Sequence, residues 1–344
     1  NGLFCKDGRG WSTSALGRGH GLDWPHPSTV FGALRSLWGR ARERRAGVCF
    51  SREEWPARTA DMSLGANLAL RRPWGEPWQA KHRVWPAPAD ALLTESGLVQ
   101  RLEPKPPTIF TLGGDDDQAR EGLWTAGCPR QKPIRGRAWW GETDFVHWLC
   151  GREPASRGAL ADLEPPRRLQ AHVAICPDKG VGRDGYLYGH DVVETLELTH
   201  QWGLGCRVEA DDGEHLELAF LGGDRRPAWA EAAAPELFTM PPALGEAFAA
   251  GCRGLRLVVV RPTIFAAGWL PDGLHANEGV YRGRLPGLEP ELILRAAFVP
   301  RPLAVSGWDM ASNRSKPTAR VVAPGSVYAF ERADGRPFGR EHAQ

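Results

Sequence analysis

The amino-acid sequence predicts an α+β protein with two domains. Its 344 residues exceed what one compact domain usually contains, and 42% of them are hydrophobic, which is enough for two cores. Each half of the chain shows a few strand-like runs around one or two helical segments. Because this arrangement is typical of ferredoxin-like or RRM-like sandwiches, we expect two such domains packed side by side, with long insertions.

The predicted domains cover residues 1–182 and 183–344. The boundary is placed at the glycine-rich segment PDKGVGRDG, after the apolar run RLQAHVAIC (168–176), which predicts a buried strand. Polar sequence rich in Trp, Arg and Pro interrupts the first domain and predicts an insertion at about 51–137. Glycine-rich and basic loops separate the strands of the second domain.

The clearest helical pattern is STVFGALRSLWGRARER at 28–44. Ser28 follows Pro27 and is the expected N-cap, because a serine hydroxyl accepts a hydrogen bond from a free N–H group of the first turn. Shorter helices are expected in TDFVHWLCG (143–151) and MPPALGEAFAAG (240–251), each ending at a glycine.

Arginine dominates the basic residues of the chain. It supplies 37 of the 43 positive side chains, although the formal net charge is only +2. The planar guanidinium pairs with phosphate and stacks on bases, so this bias favours a nucleic-acid partner. A genome rich in G and C also favours Arg, Ala, Gly, Pro and Trp codons, so the composition alone does not decide between the two explanations.

The seven cysteines show no Cys-x-x-Cys spacing. A structural zinc site or a disulfide framework is therefore not expected, and we predict no metal and no cofactor. A reducing, cytoplasmic location fits free thiols. No apolar run reaches the roughly 18 residues of a membrane span, so no membrane contact is expected.

An acidic segment offers one catalytic interpretation. TIFTLGGDDD (108–117) resembles the hairpin on which palm-type polymerases and nucleotidyl cyclases hold two metal ions, with Asp115 and Asp116 as candidate ligands. The polar residues that follow instead favour a solvated acidic loop. A palm-type cyclase or polymerase is kept as a second alternative function.

Histidine chemistry offers the other catalytic interpretation. Metal-independent ribonucleases use a His as general acid or base beside a glycine-rich RNA groove. His20 lies in GRGHG and His172 on a predicted strand, but neither has a Tyr or Lys at a recognisable spacing. A metal-independent endoribonuclease is the first alternative function, while nucleophile-elbow and Walker motifs are absent from the sequence.

Two loops favour binding rather than catalysis. In LGGDRR (221–226), Gly222 and Gly223 would let the backbone approach a ligand closely, next to two arginines. In SGWDMASNRSKPTAR (306–320), basic and hydroxyl side chains surround a rigid proline, and Trp308 offers a face for a base. An ordinary turn and a solvated basic loop are the competing interpretations.

An ordered series of motifs runs through nearly the whole chain. The segments are LFCKDGR, PHPSTVFGALRS, VWPAPADAL, HVAI…GRDGYLY, LGGDRR, PTIFAAGWLP and VSGWDMASNRSKPTARVVAPGSVYAFE. This series resembles the family of the third subunit of the Cmr effector complex of type III-B CRISPR systems. That family belongs to the RAMP superfamily, on the branch that caps the crRNA.

The resemblance implies a ribonucleoprotein subunit of antiviral defence that is not an enzyme. It implies two ferredoxin-like domains, binding of the repeat-derived 5′ tag of crRNA, and docking to the large polymerase-like subunit and the backbone RAMP subunits. Target RNA would be met only indirectly.

The chain departs from the family pattern in two places. Only NGLFC precedes the Asp-Gly-Arg turn, which suggests that residues before Asn1 are missing from the sequence. HVAI replaces the usual His-x-Gly-Ile, so His172 receives no role from the resemblance.

Residues that would contact RNA follow from the loops, the helix start and the resemblance together. They are Lys6, Arg9, Arg18, His20, Ser28, Thr29, Arg35, Gly222, Gly223, Arg225, Arg226, Trp308, Arg314, Lys316, Thr318 and Arg320. The segment 60–90 is the candidate for a thumb that kinks the crRNA where tag and guide meet. Its candidate residues are Arg71, Arg72, Trp74, Lys81 and Arg83.

Overall fold

The computed structural model describes most of the chain. The described residues are 2–9, 17–106, 122–127, 132–134, 138–153, 163–210, 218–309 and 312–339. The acidic segment at 108–117, including Asp115 and Asp116, lies outside these residues.

The described residues form many strands and a few helices, which confirms the predicted α+β class. The α-helices are α1 (Pro27–Ala46), α2 (Glu54–Arg58), α3 (Glu142–Leu149) and α4 (Pro242–Ala249). The strands are β1 (Arg18–Gly19), β2 (Ser63–Pro73), β3 (Arg83–Pro86), β4 (Ala91–Leu93), β5 (Val99–Arg101), β6 (Pro104–Lys105), β7 (Thr125–Ala126), β8 (Trp139–Gly141), β9 (Arg167–Ile175), β10 (Gly182–Val193), β11 (His200–Glu209), β12 (Leu218–Leu221), β13 (Arg226–Trp229), β14 (Gly254–Val258), β15 (Leu274–Asn277), β16 (Val280–Gly283), β17 (Leu292–Phe298), β18 (Leu303–Val305), β19 (Trp308–Asp309), β20 (Arg314–Ser315), β21 (Ala319–Val321) and β22 (Val327–Arg332). In the described part of the chain, no helix is both long and apolar enough to cross a membrane.

The chain divides into two compact units, each assembled from three segments. Unit 1 contains Asn1–Arg83, Pro165–Phe238 and Leu303–Arg320, and unit 2 contains Val84–Glu164, Thr239–Pro302 and Val321–Gln344. The glycine-rich segment after β9 forms the turn between two paired strands of unit 1. The assignment of ferredoxin-like domains to 1–182 and 183–344 stays a prediction.

Unit 1 contains a three-stranded sheet in the order β1-β10-β9. β10 pairs antiparallel with β9 and parallel with the short β1. The prediction that β9 is a buried strand is wrong, because it lies at the sheet edge and only one of its faces is covered. Leu169 and Ile175, on the other face, are 56% and 55% exposed.

The longest strand pairing of unit 1 joins β2 and β11. Their antiparallel register runs from Ser63 opposite Glu209 to Pro73 opposite His200. β12 and β13 form a hairpin whose buried side chains, Ala219 and Leu221, alternate with exposed ones, and α1 contacts β12. β18 pairs with β21, and β19 pairs with β20.

The predicted helix at 28–44 is confirmed as α1, but its N-cap is His26 rather than Ser28. Pro27 occupies the first helical position, because its fixed φ suits the helix and its missing N–H loses nothing there. The cap therefore falls one residue before Pro27. The helix ends at Ala46, and the next residue, Gly47, caps it with a φ of 66°, the left-handed conformation that favours glycine.

Unit 2 is built on a five-stranded antiparallel sheet in the order β14-β22-β17-β16-β15. Every neighbouring pair in this sheet is antiparallel. The fully buried side chains of Leu292, Leu294 and Phe330 lie in its hydrophobic core, together with Phe338 from the segment after the last strand.

A second cluster of unit 2 forms around α3. Phe145 and Trp148 on the helix pack against Trp140 of β8. The indole N–H of Trp148 donates to Asp90 at 2.9 Å, and Arg256 pairs with the same buried carboxylate at 3.0 Å. These contacts balance a charge that would be costly to bury alone.

Candidate nucleic-acid interface

The N-terminal segment, residues 2–9, connects the parts of unit 1 that the sequence predicts to bind RNA. The carbonyl of Phe4 accepts from the N–H of Gly223 at 2.7 Å. The N–H of Asp7 donates to the carbonyl of His20 at 3.0 Å, and that of Gly8 donates to Ala304 at 2.8 Å. One short segment therefore touches the glycine-rich turn, the loop before α1 and the strand β18 that precedes the basic loop.

The glycine-rich turn, residues 222–225, has a backbone that few residue types can adopt. Gly222 has φ 77° and ψ −162°, and a Cβ atom there would lie 2.4 Å from the carbonyl oxygen of Phe4. Asp224 and Arg225 also have positive φ, of 58° and 48°. The turn needs glycine both for its conformation and for its close approach to residue 4.

The basic loop spans residues 306–320, and its described parts, 306–309 and 312–320, contain a small antiparallel pairing. Trp308 pairs with Ser315 across β19 and β20, and the N–H of Lys316 donates to the carbonyl of Gly307 at 2.8 Å. Ser306 donates its hydroxyl to the carbonyl of Lys316 at 2.8 Å. These bonds join the two ends of the loop through backbone groups and a hydroxyl, without using its charged groups.

The cations of the basic loop face solvent. Arg314, Lys316 and Arg320 are exposed, and within the described residues none of the three forms an ion pair with a carboxylate. Trp308 is 56% exposed beside them. Thr318 donates weakly to the carbonyl of Gly8 at 3.4 Å, which ties the loop to the N-terminal segment.

The start of α1 lies in the electrostatic neighbourhood of this loop. Burial lowers the pKa of His26 below its usual value, and the positive charge of Lys316 lowers it further. The neutral ring then accepts from the N–H of Ser28 at 3.3 Å through Nδ1. The N–H groups of Thr29 and Val30 donate to the carbonyl of His26, so the first turn is already hydrogen-bonded by its own cap.

Two further predicted contacts, Lys6 and Arg9, lie on the N-terminal segment. Lys6 donates its ammonium to the carbonyls of Asp7 and Arg9, and Arg9 pairs with the carboxylate of Asp7. Arg9 remains exposed, but its charge is partly balanced. Lys6 and Arg9 therefore stabilise the turn at residues 6–9, where their charged groups already contact protein atoms.

Three other predicted RNA-contacting residues lie on β1, on α1 and at the start of β13. Arg18 on β1 lies 3.7 Å from the carboxylate of Asp191. Arg35, two turns into α1, donates to the hydroxyl of Thr59 at 2.5 Å. Arg226 donates to Gln170 at 2.7 Å. Their side chains already have protein partners.

All sixteen predicted RNA-contacting residues belong to unit 1, as do the five thumb candidates. The predicted domain bounds divide these residues between two domains. In the structure they all lie in unit 1, because this unit is formed by three separate segments of the chain.

The thumb candidates are not arranged as a set of free cations. Arg71, on β2, makes two hydrogen bonds to Glu197, at 3.0 and 2.8 Å, and the indole N–H of Trp74 donates to the carbonyl of Glu197 at 2.8 Å. Burial alone would raise the pKa of Glu197, but the bonds from Arg71 and Trp202 outweigh it and the pKa lies below its usual value.

The other thumb candidates are similarly engaged. Arg72 lies 3.3 Å from Glu231 and Lys81 lies 3.0 Å from Glu76. Arg83 is buried and lies 3.4 Å from the carbonyl of Leu237. Because these cations already have partners, we place no phosphate contact on them, and the thumb stays a prediction.

Sequence reasoning missed two features of this region. The cap at His26 could have been predicted from the sequence, because Pro27 favours the first helical position and the residue before it is then the cap. The 3.2 Å contact between His190 Nδ1 and Asp224 Oδ2 could not have been predicted, because 34 residues separate the two and no local motif joins them.

Comparison with known proteins identifies the family. Residues 2–341 match the family described as CRISPR-associated protein (Cas_Cmr3), so the chain belongs to this family. No match was found among curated proteins.

Two solved structures are similar over most of their length. They are chains of the cryo-EM structures of the type III-B Cmr-beta bound to cognate target RNA, one of them also with AMPPnP in state 1. Each of the two chains is 12% identical to this one in sequence. Each alignment covers 95% of this chain and 83% of the matched chain, and the TM-scores are 0.45 without AMPPnP and 0.44 with it. Both scores lie below 0.5, and we draw no functional conclusion from them.

Proposed function

We propose that this protein is a non-catalytic subunit of a cytoplasmic type III-B CRISPR (Cmr) effector complex, in which it binds the repeat-derived 5′ tag of crRNA. Membership of the Cas_Cmr3 family supports a role in CRISPR-based antiviral defence. The proposal includes two ferredoxin-like domains and docking to the large polymerase-like subunit and the backbone RAMP subunits. Target RNA would be bound by the complex rather than by this chain.

The observation that carries the RNA-binding proposal is the arrangement of the basic loop. Arg314, Lys316 and Arg320 are exposed and lack carboxylate partners among the described residues, next to an exposed Trp308. Cations on one short loop repel one another when no carboxylates balance them, and binding of a polyanion relieves that repulsion. Single-stranded RNA supplies both phosphates for the cations and bases for the indole.

The neighbouring elements extend this surface. Arg225 is exposed on the glycine-rich turn, whose backbone approaches the N-terminal segment closely. Ser28 is exposed at the positive end of the α1 dipole, and its hydroxyl lies 2.9 Å from Nδ1 of His26. His26 already bonds the first N–H groups of α1, so we assign the helix a dipole and hydroxyl contribution rather than a set of free N–H donors.

Tag binding requires charge, hydroxyl groups and an aromatic face, and it requires no proton transfer. We therefore propose no catalytic step for this chain. A complex that reads the tag in this way would fix the 5′ end of the crRNA and leave the guide free to pair.

The experiment is a salt series of tag binding with the Lys316→Ala, Arg320→Ala double variant. Each phosphate contact on a single strand contributes about 0.7 to the slope of log K against log salt, so losing two contacts lowers the slope by about 1.4. The probe is a synthetic crRNA with its repeat-derived tag, compared with the same RNA lacking the tag.

The matched control is Arg40→Ala, Arg44→Ala, on the C-terminal half of α1. It removes the same charge from exposed positions of the same unit, and Arg44 lies about 24 Å along the helix axis from Ser28. The control should keep the wild-type slope. Equal slopes for wild type and the Lys316, Arg320 variant would reject the role of the basic loop.

Substitution of Trp308 separates stacking from charge. Trp308→Ala should weaken tag binding by about 1–3 kcal/mol at every salt concentration without changing the slope, because stacking is not ionic. Trp308→Phe keeps an aromatic face and should retain most of the affinity. Equal binding by Trp308→Ala and wild type would remove the stacking step from the proposal.

A further inference from the structure

Three metal-ligating side chains meet beside the glycine-rich turn. One ligand atom each from His172, His190 and Asp224 lies within 4.8 Å of one from each of the others. Nδ1 of His190 lies 3.2 Å from Oδ2 of Asp224. The three residues come from β9, β10 and the turn between β12 and β13, so only the folded chain assembles them.

The strand register places the two histidines on one face of the sheet. His172 is opposite Tyr188, and His190 is opposite Gln170, so the two imidazoles are diagonal neighbours. Their ring centroids are 4.5 Å apart. Tyr188 stacks on His172, which fixes the orientation of that ring before any ligand arrives.

The other ligands are also held in place. Phe4 stacks on the ring of His190 with centroids 4.1 Å apart and planes within 7°. Asp224 sits in a left-handed backbone conformation, with φ 58°, which orients its carboxylate toward the sheet residue that it contacts. A preorganised set of donors loses less conformational freedom on binding an ion.

One nitrogen of this cluster is without a hydrogen bond in the part of the chain that the structure describes. Nε2 of His172 is buried and has no hydrogen-bond partner among the described residues. Buried polar atoms are almost always bonded, so such an atom suggests an additional ligand. Arg226 lies 3.4 Å from Asp224 Oδ2 at the edge of the cluster, and it also bonds Gln170 at 2.7 Å.

Two imidazole nitrogens and one carboxylate oxygen are the donor types that zinc accepts. A tetrahedral zinc ion with bonds of about 2.0–2.1 Å holds its ligand atoms roughly 3.4 Å apart. The observed separations need only small side-chain rotations to reach that value. Three protein ligands would leave one position for water.

We propose that His172, His190 and Asp224 bind a divalent transition-metal ion of the zinc class, which clamps the glycine-rich turn to strands β9 and β10. Arg226 then gives up its contact with Asp224 and keeps its bond to Gln170. The sequence predicted no metal because the ligands are 18 and 34 residues apart and follow no local spacing rule.

The test uses the full-length chain, stripped of metal, and Zn²⁺ alone as the probe. Competition with a chromophoric chelator should show one tight site per chain. His172→Phe and Asp224→Asn should each weaken it at least tenfold. Phe keeps the stack on Tyr188, and Asn tolerates a left-handed backbone and can still bond His190, so both variants are designed to fold.

The control is His200→Phe, which removes a histidine of unit 1 outside the cluster and should leave zinc affinity unchanged. Zinc held by an exposed thiol such as Cys49 would survive His172→Phe. Less than one zinc per wild-type chain, or equal affinities for wild type and both cluster variants, would overturn the proposal. Tag binding is measured separately, so failure here leaves the proposed function untouched.

Discussion

The amide N–H of Gly223 donates a 2.7 Å hydrogen bond to the carbonyl oxygen of Phe4. This bond fastens the glycine-rich turn to the N-terminal segment, which also bonds His20 and Ala304. The proposed RNA surface therefore depends on a few residues at the start of the chain, although the cations of the basic loop lie some 300 residues later.

Gly222→Ala should destabilise unit 1 strongly. Its new methyl group would lie 2.4 Å from the carbonyl of Phe4, and left-handed strain adds to the clash, so we expect a loss of roughly 2–5 kcal/mol in urea unfolding. Gly75→Ala is the matched control, with φ 81° and open space around the new atom, and should lose only about 1–2 kcal/mol. Equal losses for the two variants would contradict the close packing at Gly222.

His26 should make stability depend on pH in a definite direction. The folded pKa of His26 lies below the usual value of about 6.5, so folding favours the neutral ring. The contribution of His26 to the free energy of unfolding is therefore present above about pH 6.5 and is lost as the pH falls through the folded pKa. Relative to His26→Asn, which caps without titrating, wild type should lose about 1 kcal/mol between pH 7.5 and pH 5. Parallel pH curves would show that the ring is not the cap.

Arg71 tests whether the thumb candidates serve the fold or the RNA. Its guanidinium is only 14% exposed and pairs with Glu197, so Arg71→Ala leaves a half-buried carboxylate unpaired and should cost about 2 kcal/mol. Adding Glu197→Gln should recover part of that loss. Tag affinity of the folded variant should match wild type, and lost affinity with unchanged stability would restore the thumb hypothesis.

Local patterns predicted three of the four described α-helices, and α2 was not predicted. α1 was expected at 28–44 and runs from Pro27 to Ala46, because its helical pattern depends on neighbouring residues alone. The basic loop was found for the same reason, because its cations, proline and tryptophan lie within fifteen positions.

Features that depend on distant partners could not be predicted. β9 has an apolar sequence typical of a buried strand, but whether a neighbour covers its second face depends on the rest of the fold, and Leu169 is exposed. Arg71 and Glu197 are 126 residues apart in the sequence, so their ion pair could not be predicted from a local pattern. The contact between His190 and Asp224 likewise joins residues that are distant in the sequence.

The chain should show no catalytic activity of its own. Repeat RNA incubated with the protein in EDTA should remain intact, and ATP with Mg²⁺ or Mn²⁺ should not be consumed. Cleavage abolished by His20→Ala would instead support an endoribonuclease, and ATP turnover dependent on Asp115 and Asp116 would support a palm-type cyclase. A tag-binding subunit predicts that wild type and all three variants are equally inactive.

The most direct measurement is photo-cross-linking of crRNA in the assembled complex. A crRNA with 4-thiouridine placed only in the 5′ tag is irradiated, and the cross-linked peptides of this subunit are sequenced by mass spectrometry. The proposal predicts cross-links in the basic loop at 306–320 and in the turn at 222–225, both in unit 1. Cross-links confined to unit 2, or obtained only when the label is moved to the guide, would contradict it.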